Sequence, residues 1–285
     1  MLAVVIVLGT MVLLGGDALL RNTQSDRPSV TNYKGPANNE QVFVLVGGAG
    51  VEGKYLFPRI ASLLQKRGDV KVITYSTTRF KIEGVIALIL NQINSGGTHK
   101  KVTFIAASMG GFVAYDTITS MRATGDNRPA KIILIDALGQ FNDLVLATPA
   151  RILSYVPFGP ISNWFLTKPI GKLTFKPPAL SEVHSEDPNQ LEALWDSYRN
   201  QPPSGYVDEL AYMYHHSPLG KLDNVTGVFI QSTKDEVVKR YAPGSWTVVF
   251  GKPLQVLHVN AGHISFLDEP AAYATAINKG LELLG

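Results

Sequence analysis

Phe104–Ala114 reads FIAASMGGFVA, a run of small and apolar residues with a single hydroxyl, Ser108, at its centre. Just upstream, Lys101–Ala107 (KVTFIAA) is β-branched and apolar on both faces, the pattern of a strand buried inside a sheet. Downstream, Met109–Thr124 has helical spacing. A serine between such a strand and such a helix occupies a sharp, strained turn, so the residues two before and two after it must be small. Ala106 and Gly110 meet that need, and Gly111 adds clearance. The spelling differs from Gly-x-Ser-x-Gly only at Ala106. Ser108 is then either a nucleophile or a small residue at a crowded crossing, and the rest of the chain must separate the two.

Outward from this stretch, short β-branched runs alternate with amphipathic ones. Gln41–Gly48, Val70–Ser76, Lys101–Ala107 and Ala130–Ala137 read as strands; Lys54–Arg67, Ile82–Asn94 and Met109–Thr124 read as the helices between them. The alternation resumes with strands at Val225–Thr233 and Leu254–Val259 and a closing helix at Pro270–Leu284, with Pro at its first turn. Such β-α repetition predicts an α/β fold, a mostly parallel sheet flanked by helices with right-handed crossovers. The segment Leu138–Leu222 breaks the pattern. It holds 10 of the chain's 17 prolines and 11 of its 26 aromatic residues, a density that needs something to pack against. Two helices are expected in it, one capped by Asp187 with Pro188 at its first position and one near Val207–His215. The segment reads as a mainly helical cap over the C-terminal edge of the sheet, inserted before the strand that leads to Asp235.

A serine on such a turn does nothing without a base. His263 stands in NAGHISFLDEP, on the loop after the last strand. A carboxylate on the loop after the preceding strand could fix its tautomer, and Asp235 in QSTKDEVV is placed there. Asp136, which also ends a strand, and Glu236 are the alternatives. The order serine, acid, histidine along the chain is that of one hydrolase class. The helix after Ser108 would aim its positive N-terminus, and the Met109 N–H, at a developing oxyanion.

Taken as a set, the Ala106–Gly110 turn, STKDEVV, AGHISFLDEP and the Gly-rich turn GGAG at Gly47–Gly50 resemble the α/β-hydrolase superfamily in its cap-bearing branch, over Gln41–Gly285. The resemblance implies an esterase- or lipase-like serine hydrolase needing no cofactor. It carries the second oxyanion donor onto the Ala49 N–H, although Gly47 stands where the family often has a histidine, leaving open how that turn is braced. It disfavours an epoxide hydrolase or dehalogenase, which would have an aspartate in place of Ser108. Gly48, Gly50 and Gly53 also spell a dinucleotide loop, but the acidic residue such a site requires, Asp69, precedes its strand instead of ending it. His215 and His216 are adjacent and point apart on a helix, so they form no chelating pair, and no metal is expected.

The chain has no cysteine, hence no disulfide framework or thiolate nucleophile, and its net charge of +3 is too scattered for a nucleic-acid surface. Residues 1–20 contain an apolar run, Leu2–Gly16, read as a membrane anchor, with a cleaved export signal as the rival; residues 21–40 read as a flexible tether. The expected partner is a small or lipid-like ester met by aromatic residues of the cap, Phe141, Trp164 and Phe165 among them. The reading from another class is a catalytically inactive binding module tethered to the membrane.

Overall fold

The computed structural model describes residues 27–155 and 203–285, apart from 38, 51, 96–100, 129, 146, 217, 264 and 267–268; upstream of these it describes 15–17, 19, 20, 23 and 25. β2 (Gln41–Val46), β3 (Asp69–Thr74), β4 (Lys101–Ala107), β5 (Ala130–Ile135), β6 (Val225–Ser232) and β7 (Gln255–Val259) run parallel, and β1 (Ser29–Tyr33) pairs antiparallel with β3 at the edge. The order across the sheet is β1-β3-β2-β4-β5-β6-β7. This is the α/β-hydrolase fold.

Alternate residues of each central strand feed two cores. Val42, Val44 and Val46 of β2, with Phe104 and Ala106 of β4, pack beneath α3 (Ile82–Asn94), α4 (Gly110–Ala123) and α7 (Ala242–Phe250). Phe43, Leu45, Ile105 and Ala107 face the other way, under α1 (Gly53–Leu56), α2 (Pro58–Leu64) and α8 (Pro270–Leu284). Both faces are therefore covered by helices, which is why the strands are apolar throughout. Each fully buried Val, Leu or Ile contributes roughly 1.5–3 kcal/mol.

Two expectations need correction, and one helix was not foreseen. Residues 21–40 are not simply a tether, because β1 lies within them, with Val30 and Tyr33 packed against the two cores. An edge strand with two apolar anchors in five residues is too short to show a period. The helix expected over Lys54–Arg67 is broken in two at Phe57 (φ −107°, ψ 4°), since Pro58 lacks an N–H and biases the residue before it away from helical geometry. α7 was hidden by its composition: APGSWTVVF begins with Pro and Gly and ends in β-branched residues, and the buried Trp246 overrides that propensity.

The β5–β6 connection begins with a 3₁₀ turn at Phe141–Asp143 and α5 (Ala147–Leu153) and returns through α6 (Pro203–His215). The helix expected from Asp187, with Trp164, Phe165 and Trp195, lies outside the described residues. So does nearly all of the apolar N-terminal run expected as an anchor. Among the described residues no helix is long and apolar enough to cross a membrane.

α6 lies across the C-terminal strand ends. Ser204 Oγ donates to the Thr78 carbonyl at 2.7 Å, and Gly205 sits so close to Thr77 that a Cβ would come within 2.2 Å of its carbonyl oxygen. Asp208 accepts from the Phe80 N–H at 3.2 Å and pairs with Arg79. Further along, Tyr212 OH donates to Asp116 of α4 at 2.7 Å. One helix thus ties the loop after β3 to α4.

Candidate active site

β2 and β4 are neighbours, but the chain leaves β2 for β3 on one side and enters β4 from the other. Loops at such a reversal diverge and leave a crevice at the C-terminal strand ends. The GGAG turn after β2 and the Ser108 turn after β4 meet there. Ser108 has φ +52°, in the left-handed region that disfavours a side-chain-bearing residue, so the turn is strained. Packing and backbone bonds hold it in place: Ser108 N donates to the Ile135 carbonyl at 3.0 Å, and its own carbonyl accepts from Gly111 at 3.1 Å and Leu138 at 3.4 Å. Gly110 abuts the neighbouring turn, where a Cβ would lie 2.3 Å from the Val46 oxygen and 2.8 Å from that of Gly47. A Cβ on Gly111 would meet Trp246 at 2.7 Å. Ala106, the alanine at the motif's first position, is fully buried.

The histidine and the acid meet. His263 Nδ1 and Asp235 Oδ2 are 2.8 Å apart, with side chains 16% and 4% exposed. Asp235 is itself held, its Oδ1 accepting from the N–H groups of Val237 at 2.7 Å and Val238 at 2.8 Å. Asp136 lies beside them. The potential ligand atoms of Asp136, Asp235 and His263 all fall within 4.8 Å of one another. Since Ser108 is hydrogen-bonded to Ile135, just before Asp136, and to Leu138, two residues after it, this also sets the Ser108 turn next to the His263 loop.

Asp136 is used differently from Asp235. Its two oxygens accept from the Ser232 N–H and Ser232 Oγ, both at 2.6 Å, and Ser232 Oγ is 2.6 Å from Tyr273 OH, which donates to the Gly262 carbonyl at 3.2 Å. This chain runs beneath the histidine loop. Burial pushes the Asp136 carboxyl above the usual carboxylate range; His263 opposes that rise and the nearby Asp235 charge adds to it. Burial, then the Asp136 charge, raises the Tyr273 hydroxyl.

The remaining candidates are placed as follows. Met109 is the N-cap of α4, and Ala49 lies half-buried between Gly48 and Gly50. Glu236 is not the residue against His263 Nδ1; Asp235 is. Phe141 is buried, its ring edge-on to Tyr214 at 5.2 Å, so in the described structure it packs the two ends of the β5–β6 connection together. Asp69 begins β3 at the opposite edge of the sheet, where it accepts from Gly35 N–H at 2.8 Å. His216, just past the end of α6, packs its ring at a tilt against Tyr212 with centroids 4.5 Å apart and lies 3.6 Å from Asp116.

Sequence reasoning missed Ser232, Tyr273, Tyr75 and Glu209. For Glu209 one signal existed: with Gly205 and Met213 it forms an i, i+4 row of buried positions, and an acid in such a row calls for a partner. The other three read as ordinary strand or helix residues.

A mostly parallel sheet with a strained serine turn at its switch point and an acid-paired histidine on the last loop defines a class, the α/β hydrolases. The chain belongs to the alpha/beta hydrolase family, whose model matches residues 43–276. By sequence, no curated protein matches significantly. Among solved structures, it is similar to a thermophilic esterase from Thermogutta terrifontis (14% identity, 89% of this chain and 92% of that one, TM-score 0.60). It is similar also to an enol-lactonase from Burkholderia xenovorans (14%, 90% and 97%, TM-score 0.62) and to an epoxide hydrolase from Bacillus megaterium (10%, 92% and 98%, TM-score 0.61). At these identities the likeness is one of fold.

Proposed function

We propose that the protein is a serine hydrolase that cleaves carboxylic ester-like acyl bonds through an acyl-enzyme on Ser108. The observation that carries this reading is the 2.8 Å bond between His263 Nδ1 and Asp235, on loops beside the strained Ser108 turn. With Nδ1 donating to Asp235, the Nε2 atom of His263 is the acceptor. Ser108 Oγ attacks the carbonyl carbon and passes its proton to Nε2. The N–H groups of Met109 and Ala49 hold the tetrahedral oxyanion; each such donor is worth on the order of a hundredfold in rate. Collapse expels the alcohol, protonated by His263, and water repeats the sequence to release the acid. A hydroxyl nucleophile suits the acyl chemistry named for the esterase and the enol-lactonase better than that of the epoxide hydrolase.

The apolar N-terminal run supports a membrane-associated enzyme acting on apolar esters. Medium-chain esters should be cleaved better than acetates, which a chain-length series of p-nitrophenyl esters measures; a preference for acetate would refute this part of the reading. The central test is labelling by a fluorophosphonate probe. The wild-type chain should be labelled and Ser108→Ala should not. Absence of Ser108-dependent labelling would overturn the hydrolase reading in favour of an inactive binding module.

A further inference from the structure

The turn that carries Ala49 is clamped at both ends. At its first residue, the Gly47 carbonyl accepts from the buried Tyr75 hydroxyl of the β3 end at 3.0 Å. At its last, the Gly50 N–H donates to Glu209 Oε2 at 2.8 Å; Gly50 has φ +78°, open to glycine and costly for other residues. Glu209 is 1% exposed and lies on α6, well over a hundred residues along the chain from the turn it holds. A carboxylate so deeply buried is costly unless hydrogen-bonded, and a backbone N–H at its oxygen supplies part of what water would have given. The two side chains feel one another: burial and then the Glu209 charge raise the Tyr75 hydroxyl well above its ordinary value. Gly110, pressed against the Val46 and Gly47 oxygens, closes the third side.

We propose that Glu209 is a positioning residue for the oxyanion site: by anchoring Gly50 from the returning helix of the β5–β6 connection, it fixes the Ala49 N–H where the tetrahedral intermediate needs a donor. Tyr75 fixes the other end of the same turn. Together they do what a side chain within the turn would do, and Gly47 has none. The contact also makes the connection between β5 and β6 a working part of the catalytic centre as well as its cover. A donor misplaced by about 1 Å loses most of its value in the transition state while substrate binding changes little. The consequence is specific: loss of the carboxylate should lower kcat and spare KM.

This inference rests on the serine-hydrolase reading, and the experiment keeps the two apart. Kinetics with a p-nitrophenyl ester and affinity for a trifluoromethyl ketone, which forms a tetrahedral adduct, are measured on the full chain. The wild type is first shown to label at Ser108 with a fluorophosphonate; if it does not, the hydrolase reading itself has failed. Glu209→Leu, similar in volume but no acceptor, should lose about 10- to 100-fold in kcat and a similar factor in ketone affinity, with KM within about threefold. Glu209→Gln, which can still accept from Gly50, should recover most of the loss. Tyr75→Phe, a change of one atom that leaves the core filled, should show the same kcat-over-KM signature and gives the answer if Glu209→Leu does not fold. A labelled, folded Glu209→Leu or Tyr75→Phe with wild-type kcat would overturn the proposal, as would Glu209→Gln being as impaired as Glu209→Leu.

Discussion

At the scale of single residues, the site turns on one atom that is missing and one charge that is costly to bury. Gly110 has no Cβ because the Val46 oxygen, a backbone atom of the adjacent strand, occupies the space. Gly110→Ala should therefore force the Ser108 and GGAG turns apart, costing about 1–3 kcal/mol in urea unfolding and, for the proposed hydrolase, roughly tenfold or more in kcat; wild-type kinetics in that variant would mean the turns adapt freely. The charge is Asp136. Its pKa is raised in the folded chain, so folding favours its protonated form. Its contribution is fully present below the unfolded carboxylate range, near pH 4, and is lost as pH rises through the higher folded value. Asp136 faces His263, Asp235, Ser232 and Tyr273. Asp136→Asn can keep the Ser232 N–H bond and removes the charge, so its melting temperature relative to wild type should climb between pH 4 and pH 7. A pH-independent difference between the two proteins would count against a costly ionised Asp136. Of these residues, Ser108, Asp235 and His263 could be picked out from the sequence because each ends a strand pattern. Asp136 was visible only as a competitor for the acid's place, since nothing along the chain shows that both its oxygens turn to Ser232.

At the scale of elements, the strands were legible because each central one is apolar on both faces, and β4 was read to the residue. Elements whose stability comes from a neighbour were not. β1 is mostly exposed and contributes a row of hydrogen bonds to β3 more than apolar burial. Its role is to cover an edge that would otherwise offer unpaired N–H and C=O groups to another chain. A chain beginning at Gly35 should melt several degrees lower than one beginning at Thr23 and scatter light on heating. Melting curves read with light scattering check both. Equal melting temperatures would make β1 dispensable. α7 likewise could not be seen, as its place is set by Trp246 Nε1 donating to the Ala137 carbonyl at 3.2 Å and by the ring's closeness to Gly111 of the serine turn.

At the scale of the whole molecule, the sheet order was only partly readable. Alternation of strand and helix predicts parallel strands, but which neighbour each strand takes depends on contacts far apart in sequence. The reversal between β2 and β4 is one such outcome, and it brings two separately unremarkable Gly-rich turns together as one crevice. The comparison structures share the fold over about nine-tenths of the chain at 14% identity, so the fold tolerates wide substitution. α6 has a bearing on how such a chain tolerates recombination. Its ties to the loop after β3, to the GGAG turn and to α4 all lie within residues 203–216. A crossover inside α6 would part contacts that now come from one short element, whereas a crossover just before Pro203 would pass the whole set on together.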